Sequence, residues 1–156
     1  MDQLRTLLQA KEVDFAIIQH EKPIRTAQEG ADYFGIALGQ TAPTIVVKSE
    51  EGYFALIISG SRGRVNLPEV SERLGCNSLK MASPQEVQKV TGYPVGSVPL
   101  VGLVLPCVVD RKLFRYPFIY GGTGEPHSTL KITPNALQQL NHVVAFLDER
   151  IGMGNP

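Results

Sequence analysis

A chain of 156 residues with 43% apolar and 19% charged side chains has the material for one buried core and is not a disordered chain. Lysines and arginines, 15 in all, balance 15 aspartates and glutamates, so no overall field draws in nucleic acid and any RNA contact must come from a local patch. Cys76 and Cys107 match no metal-ligand spacing, and without a secretory leader they read as reduced thiols of a cytoplasmic protein; no apolar run reaches the ~18 residues of a membrane span.

In chain order, Asp2 is placed to cap a first helix with Leu4, Leu7 and Leu8 on one face, and residues 15–20 form a strand. Thr26-Ala-Gln-Glu29 has the form of a capping box, opening a helix that stops at Gly35. Two runs, residues 44–48 and 53–59, flank a Ser49-Glu50-Glu51-Gly52 turn and are apolar on both faces, which predicts a hairpin at the centre of a sheet or barrel. Asn66, with Pro68 and Gly75, brackets a helix, and residues 78–82 are a short strand. Ser83-Pro84-Gln85-Glu86 starts another helix, which ends at Gly92. Residues 103–109 and 118–121 are strand candidates around the turn at residues 110–112, and residues 130–133 make a last strand. A final helix then carries a stripe of Leu137, Leu140, Val144 and Leu147. Strands interleaved irregularly with helices indicate an α+β fold with a mixed sheet, and no linker or repeat divides residues 1–156 into more than one domain.

The stretch with the most chemical promise is T-G-Y-P-V-G-S-V-P-L-V-G at residues 91–102. It is uncharged, too rich in Gly and Pro for a strand and too apolar for a solvated linker. Pro94 and Pro99 set its course, while Gly92, Gly96 and Gly102 can take positive φ. Such a loop is either a structural crossover or a concavity of N–H groups that holds an anion or a carbonyl oxygen. Lys48 ends a buried strand, either snorkelling to solvent or fixed as one cation at a cleft mouth. His20 also ends a strand, and His127 lies in a second glycine-rich loop headed by Gly121 and Gly122. No nucleophile elbow, zinc spacing or P-loop is present. If the chain is an enzyme, positioning and backbone donors would have to supply the catalysis.

V-V-K-S at 46–49, K-V-T-G-Y-P-V-G-S-V-P-L-V-G at 89–102, and Y-G-G-T-G-E-P-H at 120–127 followed by L-K-I-T-P at 130–134 stand in the order seen in the YbaK/ProX family. Its members are stand-alone relatives of the editing domain of bacterial prolyl-tRNA synthetase, and the resemblance runs almost from end to end. It implies a compact α+β domain, a mixed, barrel-like sheet surrounded by helices. It implies hydrolysis, without metal or cofactor, of the ester of a tRNA mischarged with a small amino acid (Ala, Ser or Cys, on tRNA-Pro or a related tRNA). The implied partners are the aminoacyl-tRNA acceptor end and an aminoacyl-tRNA synthetase.

By the same resemblance Lys48 matches a required lysine that holds the terminal adenosine. Gly96, Ser97, Val98 and Pro99 match the glycine–proline loop around the aminoacyl group, with Val95, Gly121 and Gly122 beside it. His127 resembles a histidine of the alanine-editing branch, and His20 falls where the cysteinyl branch has a polar aromatic. The loop here is one residue shorter between Gly and Pro than is common in the family. Amides near Gly96 and Ser97 would stabilise the oxyanion, with the ribose hydroxyl or His127 as base. Local charge nominates Arg62, Arg64, Arg111 and Lys112 as RNA contacts. The alternative is a non-catalytic module that binds aminoacyl-tRNA ends or a synthetase.

Overall fold

A computed structural model of the protein describes residues 2–148. Helix α1 (Asp2–Ala10) buries Leu4 and Leu8 and leads into β1 (Phe15–Gln19). Helix α2 (Ala27–Phe34) opens on the expected capping box: Thr26 Oγ1 accepts from the Glu29 amide (3.1 Å) while the Glu29 carboxylate accepts from the Thr26 amide (3.2 Å). The hairpin β2 (Thr44–Ser49) and β3 (Gly52–Ile57) turns through Glu50 and Glu51. Then come α3 (Leu67–Leu74), capped by Asn66, and β4 (Leu79–Met81). Helix α4 (Pro84–Thr91) carries a second capping box, from Ser83 and Glu86, and ends at Gly92 in the left-handed conformation. After the glycine–proline loop the chain forms β5 (Cys107–Asp110), a 3-10 turn (Arg111–Arg115), β6 (Ile119–Gly121), β7 (Ser128–Ile132), α5 (Ala136–Leu140) and β8 (Val143–Leu147).

The α+β expectation holds, with the strands divided between two sheets. One is antiparallel, in the order β1-β7-β6; the other is mixed, in the order β4-β2-β3-β5-β8, with β3, β5 and β8 parallel. β2 and β3 are interior strands, as their two apolar faces require. Val47 and Leu56 pack toward α3 and β8, while Ala55 and Ile57 join the larger core with Leu100, Leu130 and Leu137. The sheets meet where the Ala42 amide donates to the Tyr120 carbonyl (2.8 Å), just before β2 and inside β6. That junction holds the cavity described below. Among the described residues no helix is long and apolar enough to cross a membrane.

Two expectations are corrected. The final helix does not run from Leu137 to Leu147: it stops at Leu140, and Val143-Val144-Ala145-Phe146-Leu147 is a strand beside β5. That segment is β-branched and aromatic, and β5 needs a partner on its free edge. His142, expected within the helix, instead accepts the Cys107 amide on its carbonyl (2.8 Å). The run at residues 103–109 becomes strand only at Cys107, after Pro106, which has no N–H to give a ladder. Its expected companion at residues 118–121 belongs to the other sheet.

Candidate active site

The glycine–proline loop is an ordered wall. Gly92, Gly96 and Gly102 all have positive φ, and Gly96, at 90°, allows the turn in which the Ser97 amide donates to the Pro94 carbonyl (3.0 Å). The Leu100 amide donates to the Gly122 carbonyl (3.0 Å), tying the loop to the end of β6. Asn141 clamps the other side: its Nδ2 donates to the Leu100 carbonyl (3.0 Å) and its Oδ1 accepts from the Leu103 amide (3.1 Å). Asn141 therefore ends α5 and fixes the loop at once.

Between this wall, α2, the start of β2 and the β6–β7 connection lies a cavity of about 300 Å³. Val95, Gly96 and Val98 line it from the loop, Gly121 and Gly122 from the end of β6 and the residue after it, and Ser128 and Thr129 from β7. Phe34 and Tyr120, their rings 5.2 Å apart, add aromatic surface, and Arg25 and Glu125 are the charged residues of the lining. Gly122 is there because nothing larger fits: a Cβ would overlap the Val98 carbonyl oxygen. Among the described residues no acceptor takes the amides of Gly96 or Val98. Thr44 also lines the cavity, but its hydroxyl is buried from it and has no partner among them. Donors left open in a cavity are what a carbonyl or oxyanion would use.

The expected residues divide. Gly96, Val95, Val98, Gly121 and Gly122 come together in the lining, whereas Lys48, Ser97, His20, His127 and Pro99 are not part of it. The Ser97 amide is spent on Pro94, so the open donors near Gly96 are its own amide and that of Val98. Pro99 lines a second cavity, of about 280 Å³, between α1 and residues 99–105, with no charged group in its lining. His127 is exposed and its Nδ1 bonds to the Glu21 carbonyl (2.9 Å). His20 is 7% exposed, with Nδ1 against the Lys22 carbonyl (2.6 Å) and Nε2 against the hydroxyl of Thr129 (3.0 Å), a residue of the lining.

Lys48 shares the β2 face of Thr44 and Val46 but lies at the strand's far end. Its Nζ donates to Glu86 Oε2 (2.9 Å), which also accepts from the Tyr53 hydroxyl (2.8 Å). It is not a lone cation. The Ser83 amide, then Lys48 and Tyr53, hold the Glu86 carboxyl down to about 2 from its ordinary 4.5, so Glu86 stays charged and keeps Lys48 neutralised. A carboxyl depressed on folding contributes stability that is present above its unfolded value and lost as pH falls through its folded value. Glu86→Gln should therefore flatten the decline of Tm between about pH 4.5 and pH 2. An unchanged acid profile would show that the triad does not form in solution.

The proposed RNA contacts divide as well. The Arg62 side chain is 3% exposed, its Nη1 donating to the fully buried Asp110 (2.9 Å), so it is structural and cannot meet a phosphate. Arg111 pairs with Asp148 (3.2 Å) and lies over the Phe146 ring, half its side chain exposed. Arg64 is exposed, Lys112 partly so, and neither enters an ion pair among the described residues. Arg25, Thr44 and Thr129 were missed. Arg25 had only its place beside the Thr26 cap as a signal, and the two threonines had none beyond strand position. Burial pushes the Cys107 thiol up to about 12, which keeps it protonated and unfit as a nucleophile.

The family model of the aminoacyl-tRNA editing domain matches residues 21–140. A proline–tRNA ligase of Thermosipho melanesiensis is 30% identical over 105 residues, 66% of this chain but only 18% of the ligase, so the chain corresponds to under a fifth of that relative. A solved hypothetical protein superposes with a TM-score of 0.84 at 30% identity, covering 92% of this chain and 96% of its own. A candidate trans-editing enzyme for prolyl-tRNA synthetase superposes with a TM-score of 0.78 at 29% identity, covering 91% and 93%. With the match spanning the loop, the cavity lining and strands of both sheets, the chain belongs to the aminoacyl-tRNA editing domain family.

Proposed function

We propose that the protein is a trans-acting deacylase that removes a small amino acid, Ala, Ser or Cys, from a mischarged tRNA, tRNA-Pro or a related one, in the cytoplasm and without a metal or cofactor. The observation that carries this reading is the cavity at the sheet junction, lined by Gly96 and Val98, whose amides no acceptor takes among the described residues. The aminoacyl group enters with its carbonyl oxygen toward those amides, which stabilise the charge that grows as water adds. Val95, Val98, Gly121 and Gly122 bound the side-chain pocket. A methylene more or less is worth only ~1–3 kcal/mol there, so selection by size is imperfect.

Arg25 at the cavity takes the 3′-terminal phosphate or ribose, and Arg64, Arg111 and Lys112 extend the contact along the acceptor end. Lys48 keeps a secondary place, because a phosphate would have to displace Glu86 from it. Lys48→Ala is accordingly expected to hold kcat/KM within ~3-fold, while Arg25→Ala raises KM by ~10-fold with kcat little changed. A ~100-fold loss in Lys48→Ala would return that lysine to the site.

The deciding assay is the release of amino acid from Ala-, Ser- and Cys-charged tRNA-Pro. Multiple turnovers on at least one substrate support the reading, and none on any rejects it. The neutralised Lys48 favours one alternative, a module that binds the aminoacylated end, or a synthetase carrying it, without turnover; saturable binding with no ester loss would select it.

A further inference from the structure

The exposed His127 is not coupled to the cavity, but a second, buried histidine is. We infer that Thr129, held by His20, is the hydroxyl through which the attacking water loses its proton; this inference rests on the deacylase reading. The hydrogen bonds set the tautomer. The Lys22 carbonyl can only accept, so His20 Nδ1, 2.6 Å away, carries the ring proton of the neutral imidazole. Nε2 is then an acceptor, and the Thr129 hydroxyl 3.0 Å from it must donate. With its hydrogen committed inward, Thr129 Oγ1 has only lone pairs left for the cavity that Thr129 lines.

The ring is also held in place. Tyr33 and Phe34 of α2 pack against it with centroids 5.6 and 6.3 Å away, and its own amide donates to the His127 carbonyl (2.9 Å). Packing and two hydrogen bonds thus leave one orientation, in which the basic nitrogen holds the hydroxyl of a residue that lines the cavity.

The step balances without any other reagent. Water at Thr129 gives one proton to Oγ1 as Thr129 gives its own to His20 Nε2, and the water oxygen bonds to the ester carbonyl carbon. When the tetrahedral intermediate collapses, the bond from that carbon to the ribose oxygen breaks. The ribose oxygen takes the proton back along the same path, leaving a free amino acid and a free 3′-terminal hydroxyl. Thr129 is the catalytic residue of the pair, and His20 acts through it as a positioning residue and proton store.

The test is steady-state deacylation of Ala-, Ser- and Cys-charged tRNA-Pro by the wild type, Thr129→Val, Thr129→Ser, His20→Gln and the double variant Thr129→Val/His20→Gln, each first checked for native circular dichroism. Valine keeps the shape of threonine and removes the hydroxyl; serine restores it. The expected result is a ~100-fold fall in kcat for Thr129→Val with KM unchanged, recovery to within ~5-fold in Thr129→Ser, and a double variant no slower than its worse single. An active wild type with Thr129→Val of full kcat, or with Thr129→Ser as impaired as valine, overturns the inference and leaves the deacylase reading standing. A wild type inactive on all three substrates overturns both.

Discussion

Arg62→Ala is expected to lower the unfolding free energy by about 3 kcal/mol, the cost of stranding a buried charge. The loop position of Arg62 would suggest a harmless change. Asp110, however, ends a central strand, is 0% exposed, and accepts the Ser59 amide (3.0 Å), the Lys112 amide (2.9 Å) and Arg62 Nη1 (2.9 Å). Alanine leaves the two amides and removes the only positive charge bonded to it among the described residues. The second arm of Arg62 reaches the Asp148 carbonyl (3.2 Å), so the same change loosens the join between β3, β5 and the end of β8. Urea unfolding measures this as a fall in midpoint at constant slope. An unfolding free energy within ~0.5 kcal/mol of wild type, together with weakened RNA binding, would instead make Arg62 the surface contact that local charge suggested.

Gly122→Ala is expected to abolish most activity at moderate cost in stability. Its methyl would overlap the Val98 carbonyl oxygen, and the neighbouring carbonyl carbon would lie 3.1 Å away. Backbone cannot turn aside as a side chain can, so the loop must move off β6 and lengthen the Leu100-to-Gly122 hydrogen bond (3.0 Å). Overpacking of this kind costs about 1–3 kcal/mol. The effect on chemistry is larger, because the displaced segment carries the Gly96 and Val98 amides, and a shift near 1 Å in such donors can cost ~100-fold in rate. Single-turnover deacylation beside thermal unfolding separates the two effects. A variant that loses stability but keeps its rate would show that the loop amides do not touch the reacting carbonyl.

Local signals were readable in the sequence. The capping boxes at Thr26 and Ser83, the Asn66 cap, the two-residue turn of the hairpin and the buried character of β2 and β3 each depend on residues within a few positions of one another. Partnerships across the chain were not readable. Val143–Leu147 reads as a continued helix until β5, more than thirty residues earlier, offers it an edge. Arg62 reads as a free cation because Asp110 is distant in sequence, and Lys48 for the same reason, since Glu86 lies on α4, well beyond β2. The glycine–proline loop was legible as an ordered loop, and its glycines as positions free to take positive φ, because its composition suits neither strand nor linker; that it walls a cavity was not. Which histidine communicates with the cavity was not. His127 sits in the more suggestive motif, yet the fold turns it outward and brings His20 to Thr129 across the β1–β7 pairing.

The most direct measurement is the position of a stable substrate mimic, 3′-alanylamino-3′-deoxyadenosine, whose amide replaces the labile ester, bound to the protein and solved by crystallography. The alanyl group should lie at the sheet junction, its carbonyl oxygen within hydrogen-bond distance of the Gly96 and Val98 amides and its side chain against Gly122. A mimic seated between α1 and residues 99–105, or lying against Lys48 with the junction cavity empty, would contradict the account.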